Sequence, residues 1–465
     1  MYIEENNELS KKVNQEKEKI EKVQLDRGDR SSVTSRSIKS LQLDTIKEWL
    51  NQDLSITFLM AAAIFILELL LAIFYDTTTH WDAWTRAQIA ETYTRITFIE
   101  WLPFVPNSEN LPGLVWLPGH SYVLAFLHVL TKIPTLYLGE ILSAASTAGI
   151  SCYLFLILKQ DLGLPQKRAV LVSLLPLTSG MWVSHGSQCM TDLFAYFLFL
   201  ITLFHFSKFI LPNRSRHPYL HGLFGTLIAT FNNFVRYESW VIVSGIVGLI
   251  FLISVLLQIQ MLIKKEGWKD VFIQTAIKCV VFIILPASAI IIWLLYNYNQ
   301  TGDFFYTTTW ILAHNADWGT TQLTNNSLPY TVLIFFTRLN EATPFWWLIP
   351  LSLLVFVLKP NEEDPMDKTH KIWFFFIWAT TIFFTFQMMW QMFSGVSTSE
   401  TRFFMTLIPF TSLTLGFLSR YPRFRSNWLL AGLLGLGFLN TILSLQILHI
   451  RHLFHVEQDP DHVKP

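Results

Sequence analysis

The chain has 465 residues, 52% of them hydrophobic and 15% charged, with 34 basic and 34 acidic side chains and a formal net charge of zero. Soluble domains are usually about a quarter charged, so this composition excludes an ordinary soluble enzyme, and the balanced charge leaves no electrostatic footprint for nucleic acid. Mean hydropathy is +0.38, and the apolar residues are gathered into runs. Runs of about 18 or more apolar residues are long enough to cross hydrocarbon as helices, and lipid cannot satisfy a free backbone, so they are expected to be helical. Cys152, Cys189 and Cys279 are far apart and form no C-x-x-C pair, which suggests neither a disulfide framework nor a zinc site.

Residues 1–55 form a polar block of mixed charge, expected as a disordered or surface-helical cytoplasmic tail, with a short amphipathic helix over 41–54. A membrane domain follows over 56–449, then a short tail, 450–465. The expected fold is an all-α polytopic membrane protein of about 11 transmembrane helices. They are placed at 56–75, 137–158, 169–184, 191–210, 219–235, 240–263, 275–296, 345–358, 372–393, 403–418 and 428–448. Lys and Arg recur in alternate short loops: Lys159, Lys167 and Arg168; Lys208, Arg214 and Arg216; Lys264, Lys265 and Lys269; Lys359, Lys368 and Lys371; Arg420, Arg423 and Arg425. Such loops face the cytoplasm. The apolar stretch 114–130 is short and carries Pro118, His120 and His128. A span there would break the alternation, so it is assigned as a re-entrant or interfacial element of the first outer loop.

The outer face then collects most of the unusual polar residues. The first outer loop, 76–135, begins with Asp76 and contains His80-Trp81-Asp82-Ala83-Trp84. It continues as an interfacial helix in which Trp84, Ala87, Ala90 and Glu91 fall at helical spacing. A carboxylate at Asp82 could take the proton of an attacking hydroxyl. Thr79-x-x-Asp82 also has the spacing of a capping box, so Asp82 reads equally as a helix cap. His80 has no second ligand at metal-binding spacing.

His185-Gly-Ser-Gln-Cys-Met-Thr-Asp192 places a second acid at a helix start, as a functional group or a cap. In Arg236-Tyr-Glu-Ser-Trp240, Arg236 could fork onto a phosphate with Glu238 holding it, or the two could form a local ion pair. The second outer loop, 297–344, is long and aromatic, with Trp310, His314, Asp317 and Trp318, as in a lid or acceptor groove. It holds two formal glycosylation triplets, at Asn299 and Asn325. Glu400-Thr-Arg402 precedes a late span, where Arg402 could bind a lipid phosphate.

The order of these motifs resembles the GT-C fold glycosyltransferases, closest to the protein O-mannosyltransferase-like and lipopolysaccharide sugar transferase-like groups. The Trp81-Asp82 pair is also similar to the glycosylphosphatidylinositol mannosyltransferases. The resemblance runs from Tyr75 to Pro409 in order and topology; no single motif carries it. It implies a sugar donor on polyprenyl or dolichyl phosphate, with an acceptor (glycan, lipid or protein) arriving from the outer or lumenal face. It implies Asp82 and Asp192 as catalytic acids, Arg402 and Arg236 on the donor phosphate, and His80, Trp81 and Glu238 in support. Two departures are visible. Trp116-Leu-Pro-Gly-His120 stands where the family often has a Pro-Pro pair, and the short tail after the last span does not suit the oligosaccharyltransferase arrangement.

In the chemistry so implied, the leaving phosphate needs cations more than an acid, and Asp82 deprotonates the acceptor in line, with inversion at the sugar carbon. No cofactor is required, in keeping with the lack of a Gly-rich phosphate loop; a divalent metal stays an open question. The partners are membrane lipid, the lipid-linked donor and the acceptor, with no nucleic acid. The bacterial plasma membrane is favoured over the endoplasmic reticulum. A transporter or lipid-linked sugar flippase is the main alternative, but its ionisable groups are expected near mid-membrane. An O-antigen ligase or polymerase is another, with its main outer loop late in the chain.

Overall fold

The computed structural model describes residues 34–75, 81–95, 116–210, 217–263, 273, 277, 280–317, 327–358, 368–394, 401–419, 421, 424 and 426–458. Most of the polar tail and His80 lie outside them. Among the described residues every regular element is helical. The helices are α1 (Thr34–Tyr75), α2 (Trp81–Arg95), α3 (Gly119–Thr131), α4 (Thr135–Leu156), α5 (Gln166–Ser173), α6 (Gly180–Gly186), α7 (Asp192–Ile210) and α8 (Pro218–Asn232). They continue as α9 (Glu238–Ile263), α10 (Leu285–Thr301), α11 (Tyr306–Asp317), α12 (Leu328–Ala342), α13 (Leu348–Leu358), α14 (Lys368–Phe393), α15 (Ile408–Leu418) and α16 (Asn427–Gln458). The chain divides into two units, Met1–Met60 and Ala61–Pro465. All side-chain contacts described below lie in the second.

Among the described residues, 6 helices are long and apolar enough to cross a membrane, at Asp53–Phe74, Thr135–Asp161, Asp192–Ile210, Phe282–Thr301, Thr369–Phe393 and Asn427–Leu445. Several long helices of this kind are the mark of a membrane protein. Glu238–Leu252, Leu348–Val357 and Arg402–Leu418 are apolar but shorter. The expected span 169–184 is interrupted. It is divided among α5, a 3-10 turn at Leu175–Thr178 and α6. Pro176 has no N–H to continue a helix, and the Ser179 hydroxyl accepts from Trp182 N–H at 3.3 Å to start a new one. The expected surface helix at 41–54 is part of α1. The expected outer loop 297–344 contains α11 and α12, and Thr331, Phe335, Leu339 and Ala342 form the buried stripe of α12.

The most enclosed spanning helices are Thr135–Asp161 and Asp192–Ile210, each 67% buried over its most apolar window, against 28% for Asn427–Leu445. The reason is legible in α4, where Gly139, Ser143, Ala144, Ser146, Thr147 and Ala148 are buried or closely packed. Small side chains let helices approach where burial from water supplies no drive. A Cβ at Gly139 would come within 2.0 Å of Cys189 Sγ.

The central helices run from one end of the bundle to the other. At the start of α4, Thr135 Oγ1 donates to Ala87 O at 3.0 Å, which joins it to α2. Ser143 Oγ donates to Met190 O at 3.1 Å, just before α7. At the far end Asp161 accepts from Lys208 Nζ at 2.5 Å and Trp373 Nε1 at 3.0 Å. Nearby, Arg168 Nη2 donates to Phe424 O at 2.6 Å. Described parts of four of the basic loops thus share this end. The polar motifs of the other set gather at the opposite end.

Candidate functional site

Three acids open three helices at that opposite end: Asp82 in the first turn of α2, Asp192 in α7 and Glu238 in α9. Each stands where the helix dipole favours negative charge. Burial of all three would be costly without cations, and those of Asp82 and Asp192 come from elsewhere in the chain. Asp82 forms an ion pair with Arg402 Nη1, across 320 residues of sequence. Arg402 lies on the 3-10 turn Thr401–Leu407 that leads into α15.

Arg236, in the turn between α8 and α9, binds two acids together. Its Nη1 donates to Asp192 Oδ1 at 2.5 Å and to Thr191 Oγ1 at 3.3 Å. Its Nε and Nη2 fork onto Glu238 at 2.9 and 2.7 Å. Burial disfavours the charge, but Asp192 and Glu238 outweigh it and hold the Arg236 pKa well above its ordinary value. His185 Nδ1 lies 3.5 Å from the other oxygen of Asp192. The two ion-paired arginines flank one ring: Arg236 Cζ is 5.4 Å and Arg402 Cζ 5.1 Å from the centroid of Phe403. A small cavity of ≈ 20 Å³ lies beside Arg236, lined also by Tyr196, Asn232, Glu238 and Thr406. That is room for about one water.

The turn holding Arg236 is fixed from two sides. Tyr237, next in sequence, hydrogen-bonds Thr307 Oγ1 of α11 at 2.9 Å and accepts from Trp293 Nε1 of α10 at 2.9 Å. Gly119 N–H donates to Phe234 O at 2.7 Å. A Cβ at Gly119 would stand 2.7 Å from that same oxygen, so only glycine lets α3 lie this close to the turn.

The five singled-out charged residues, Asp82, Asp192, Arg236, Glu238 and Arg402, therefore meet as two neighbouring buried ion-pair groups. Trp81 opens α2, while His80 lies outside the described residues. The helix α2 turns its small residues inward. Ala83, Ala87 and Ala90 are buried together with Arg86, whereas Trp84 is 44% exposed. The small residues, not the tryptophan, face α3 and α4.

Three further groups belong to this region and were not assigned a role from sequence. Arg86 follows Asp82 by one helical turn, and its Cζ lies 4.5 Å over the Trp116 ring. Burial lowers its pKa to about 10, with Asp82 opposing the shift. His120 is fully buried in the first turn of α3, and burial, followed by Arg86, lowers its pKa to about 3. Glu68 of α1 is also fully buried, and its carboxylate lies against Gly186, where a Cβ would meet it at 2.5–2.7 Å. An ionisable residue inside an apolar run is itself a signal; the spacing of Arg86 from Asp82 is another.

Among the described residues no group of three or more His, Cys, Asp or Glu side chains is placed to hold a metal ion. No family model and no curated protein matches the chain.

Proposed function

We propose that this protein is an integral membrane glycosyltransferase with a GT-C-like fold. It moves a sugar from a polyprenyl or dolichyl phosphate donor to an acceptor hydroxyl at the outer or lumenal face, with inversion. The single observation that supports this is the meeting of Asp82, Asp192, Arg236 and Arg402. They come from four separated segments and converge at one end of a bundle of long apolar helices.

In the reaction, the acceptor oxygen forms a bond to the anomeric carbon as the bond from that carbon to the phosphate oxygen breaks. The acceptor proton passes to Asp82, and the lipid phosphate leaves with the electron pair. Asp82 is already oriented by Arg402, and the guanidinium groups beside it offset the charge that builds on the leaving phosphate. Asp192, held by Arg236, keeps that arginine in position. With the basic loops cytoplasmic and the site outside, a lipid-borne donor and a water-soluble acceptor meet at one face. A bacterial plasma membrane suits this arrangement.

The test is sugar transfer by purified protein from a panel of radiolabelled polyprenyl-phosphate sugars to a crude acceptor extract. Transfer is expected from at least one donor, and loss of at least about a hundredfold in a folded Asp82→Asn variant. A folded wild type that transfers from no donor overturns the proposal. A second function, transport or flipping of a lipid-linked sugar, is favoured by Glu68 alone. It is a fully buried acid within a span, with no hydrogen-bond partner for either carboxylate oxygen among the described residues.

A further inference from the structure

Arg402 and Arg236 are the arginines expected on a donor phosphate, yet both are committed to carboxylates. Arg402 holds Asp82, and Arg236 holds Asp192 and Glu238. An incoming phosphate would have to displace the acids that engage Arg236 through all three guanidinium nitrogens, or share Arg402 with Asp82, which holds its Nη1. Arg86 is placed differently. It is only 7% exposed. Its Nε is fully enclosed and has no hydrogen-bond partner among the described residues. Its close neighbour is the face of Trp116, which orients a guanidinium plane without using its N–H groups.

His120 is the second observation, and it is independent of the first. The ring is 0% exposed, and neither nitrogen has a hydrogen-bond partner among the described residues. A buried imidazole with both nitrogens unused is unusual, because a lost hydrogen bond in the interior is expensive. Its ring packs 6.1 Å from that of Phe194, and after burial the charge of Arg86 further disfavours its protonation. The neutral ring carries one N–H donor. The helices that carry the two groups are locked together: Ser121 Oγ donates to Arg86 O at 3.4 Å. Asp82 and Asp192 both act electrostatically on Arg86, but Asp82 is ion-paired to Arg402 and Asp192 to Arg236. One uncommitted cation and one uncommitted neutral donor, both enclosed, suit a tetrahedral oxyanion that takes a charged contact and a hydrogen bond.

We propose that Arg86 and His120 together seat a phosphate group, with Trp116 fixing the guanidinium plane, and that this is the phosphate of the ligand on which the protein acts. The phosphate being lipid-borne rests on the transferase function proposed above; the seat itself does not. In the transferase it leaves Arg402 free to govern Asp82 and makes Arg86 the main contact of the leaving group.

The experiment uses the full chain in nanodiscs of zwitterionic lipid. Binding is measured for polyprenyl phosphate doped into the disc and, separately, for inorganic phosphate in solution. Wild type is compared with Arg86→Gln, Arg86→Lys and His120→Phe, with the surface variant Arg338→Gln as a control for charge loss. Folding of each is checked by thermal unfolding. Arg86→Gln is expected to weaken polyprenyl phosphate binding by about ten- to a hundredfold, as for loss of a charged hydrogen bond. Arg86→Lys should recover part of it, His120→Phe should weaken it about tenfold, and Arg338→Gln should leave it unchanged. If only inorganic phosphate binds, with the same dependence on Arg86, the seat stands and its ligand is soluble. Binding by folded Arg86→Gln within twofold of wild type overturns the proposal, and so does a wild type that binds neither phosphate. If Arg86→Gln does not fold, His120→Phe decides by the same criterion. Phosphate binding that depends on Arg86 without sugar transfer from any donor would sink the transferase and keep the seat. Transfer with unchanged kinetics in Arg86→Gln would do the reverse.

Discussion

Asp82 and Arg402 are each about nine-tenths buried as side chains, so neither can be neutralised by truncation without stranding the other. Breaking such a pair costs about 3–5 kcal/mol, more than the intact pair contributes over apolar packing. Asp82→Asn and Arg402→Gln are each expected to lower thermal stability in detergent. The double variant should be more stable than the two losses added, because no lone charge remains. Additive losses would show that the two side chains are not coupled. His120 gives a different signature. Its pKa in the fold, about 3, lies below its ordinary value of 6.5, so between those values the unfolded chain binds the proton and the fold does not. Its contribution to stability is complete above about pH 6.5 and is lost as pH falls toward about 3. Stability profiles of wild type and His120→Phe over that window should differ in slope, with the variant flatter. Parallel profiles would mean that the imidazole is not held neutral by its surroundings.

At the scale of elements, Gly119 makes the sharpest demand. Its added Cβ would press on the backbone oxygen and carbon of Phe234 at 2.7 and 2.9 Å, and backbone cannot swing aside as a side chain can. Gly119→Ala is expected to cost about 1–3 kcal/mol through overpacking. It should also disturb the Arg236 turn, to which the Gly119 N–H is bonded. Gly432 in α16 has nothing within 4 Å of its Cβ position, so Gly432→Ala should be neutral or stabilising by up to about 1 kcal/mol. Equal unfolding temperatures for the two variants would contradict the close approach. The elements were legible in the sequence where one signal dominates, as in the long runs of α4, α7 and α14. They were not where local chemistry overrides hydropathy. Pro176 and Ser179 divide a stretch that is continuous by composition. Within the expected loop, Leu328–Ala342 is helical because Thr331, Phe335, Leu339 and Ala342 make a buried stripe at spacings of four, four and three, a pattern masked by the polar residues around it.

For the whole molecule, the members of the site were readable one by one, and their partners mostly were not. Arg236 and Glu238 are two residues apart, and their pairing follows from that proximity. The union of Asp82 with Arg402 spans 320 residues, and nothing local in either motif names the other. What the sequence did carry was sidedness. The alternation of basic loops sorts Asp82, Asp192, Arg236 and Arg402 to one side, and the helices indeed bring them to one end, with the Lys208–Asp161 bridge at the other. That sorting yields a labelling prediction. Thr135–Asp161 has 27 residues and is about 40 Å long at the rise of an α-helix, enough to cross a bilayer. Lys132 and Lys167 flank it and are both exposed. In a variant lacking Cys152, Cys189 and Cys279, a membrane-impermeant maleimide is expected to label Lys132→Cys from the outer face and Lys167→Cys only after the membrane is opened. Labelling of both from one face would mean that α4 does not cross. Reversed labelling would keep the bundle but turn the site toward the cytoplasm, where a water-soluble acceptor would have to come from within the cell.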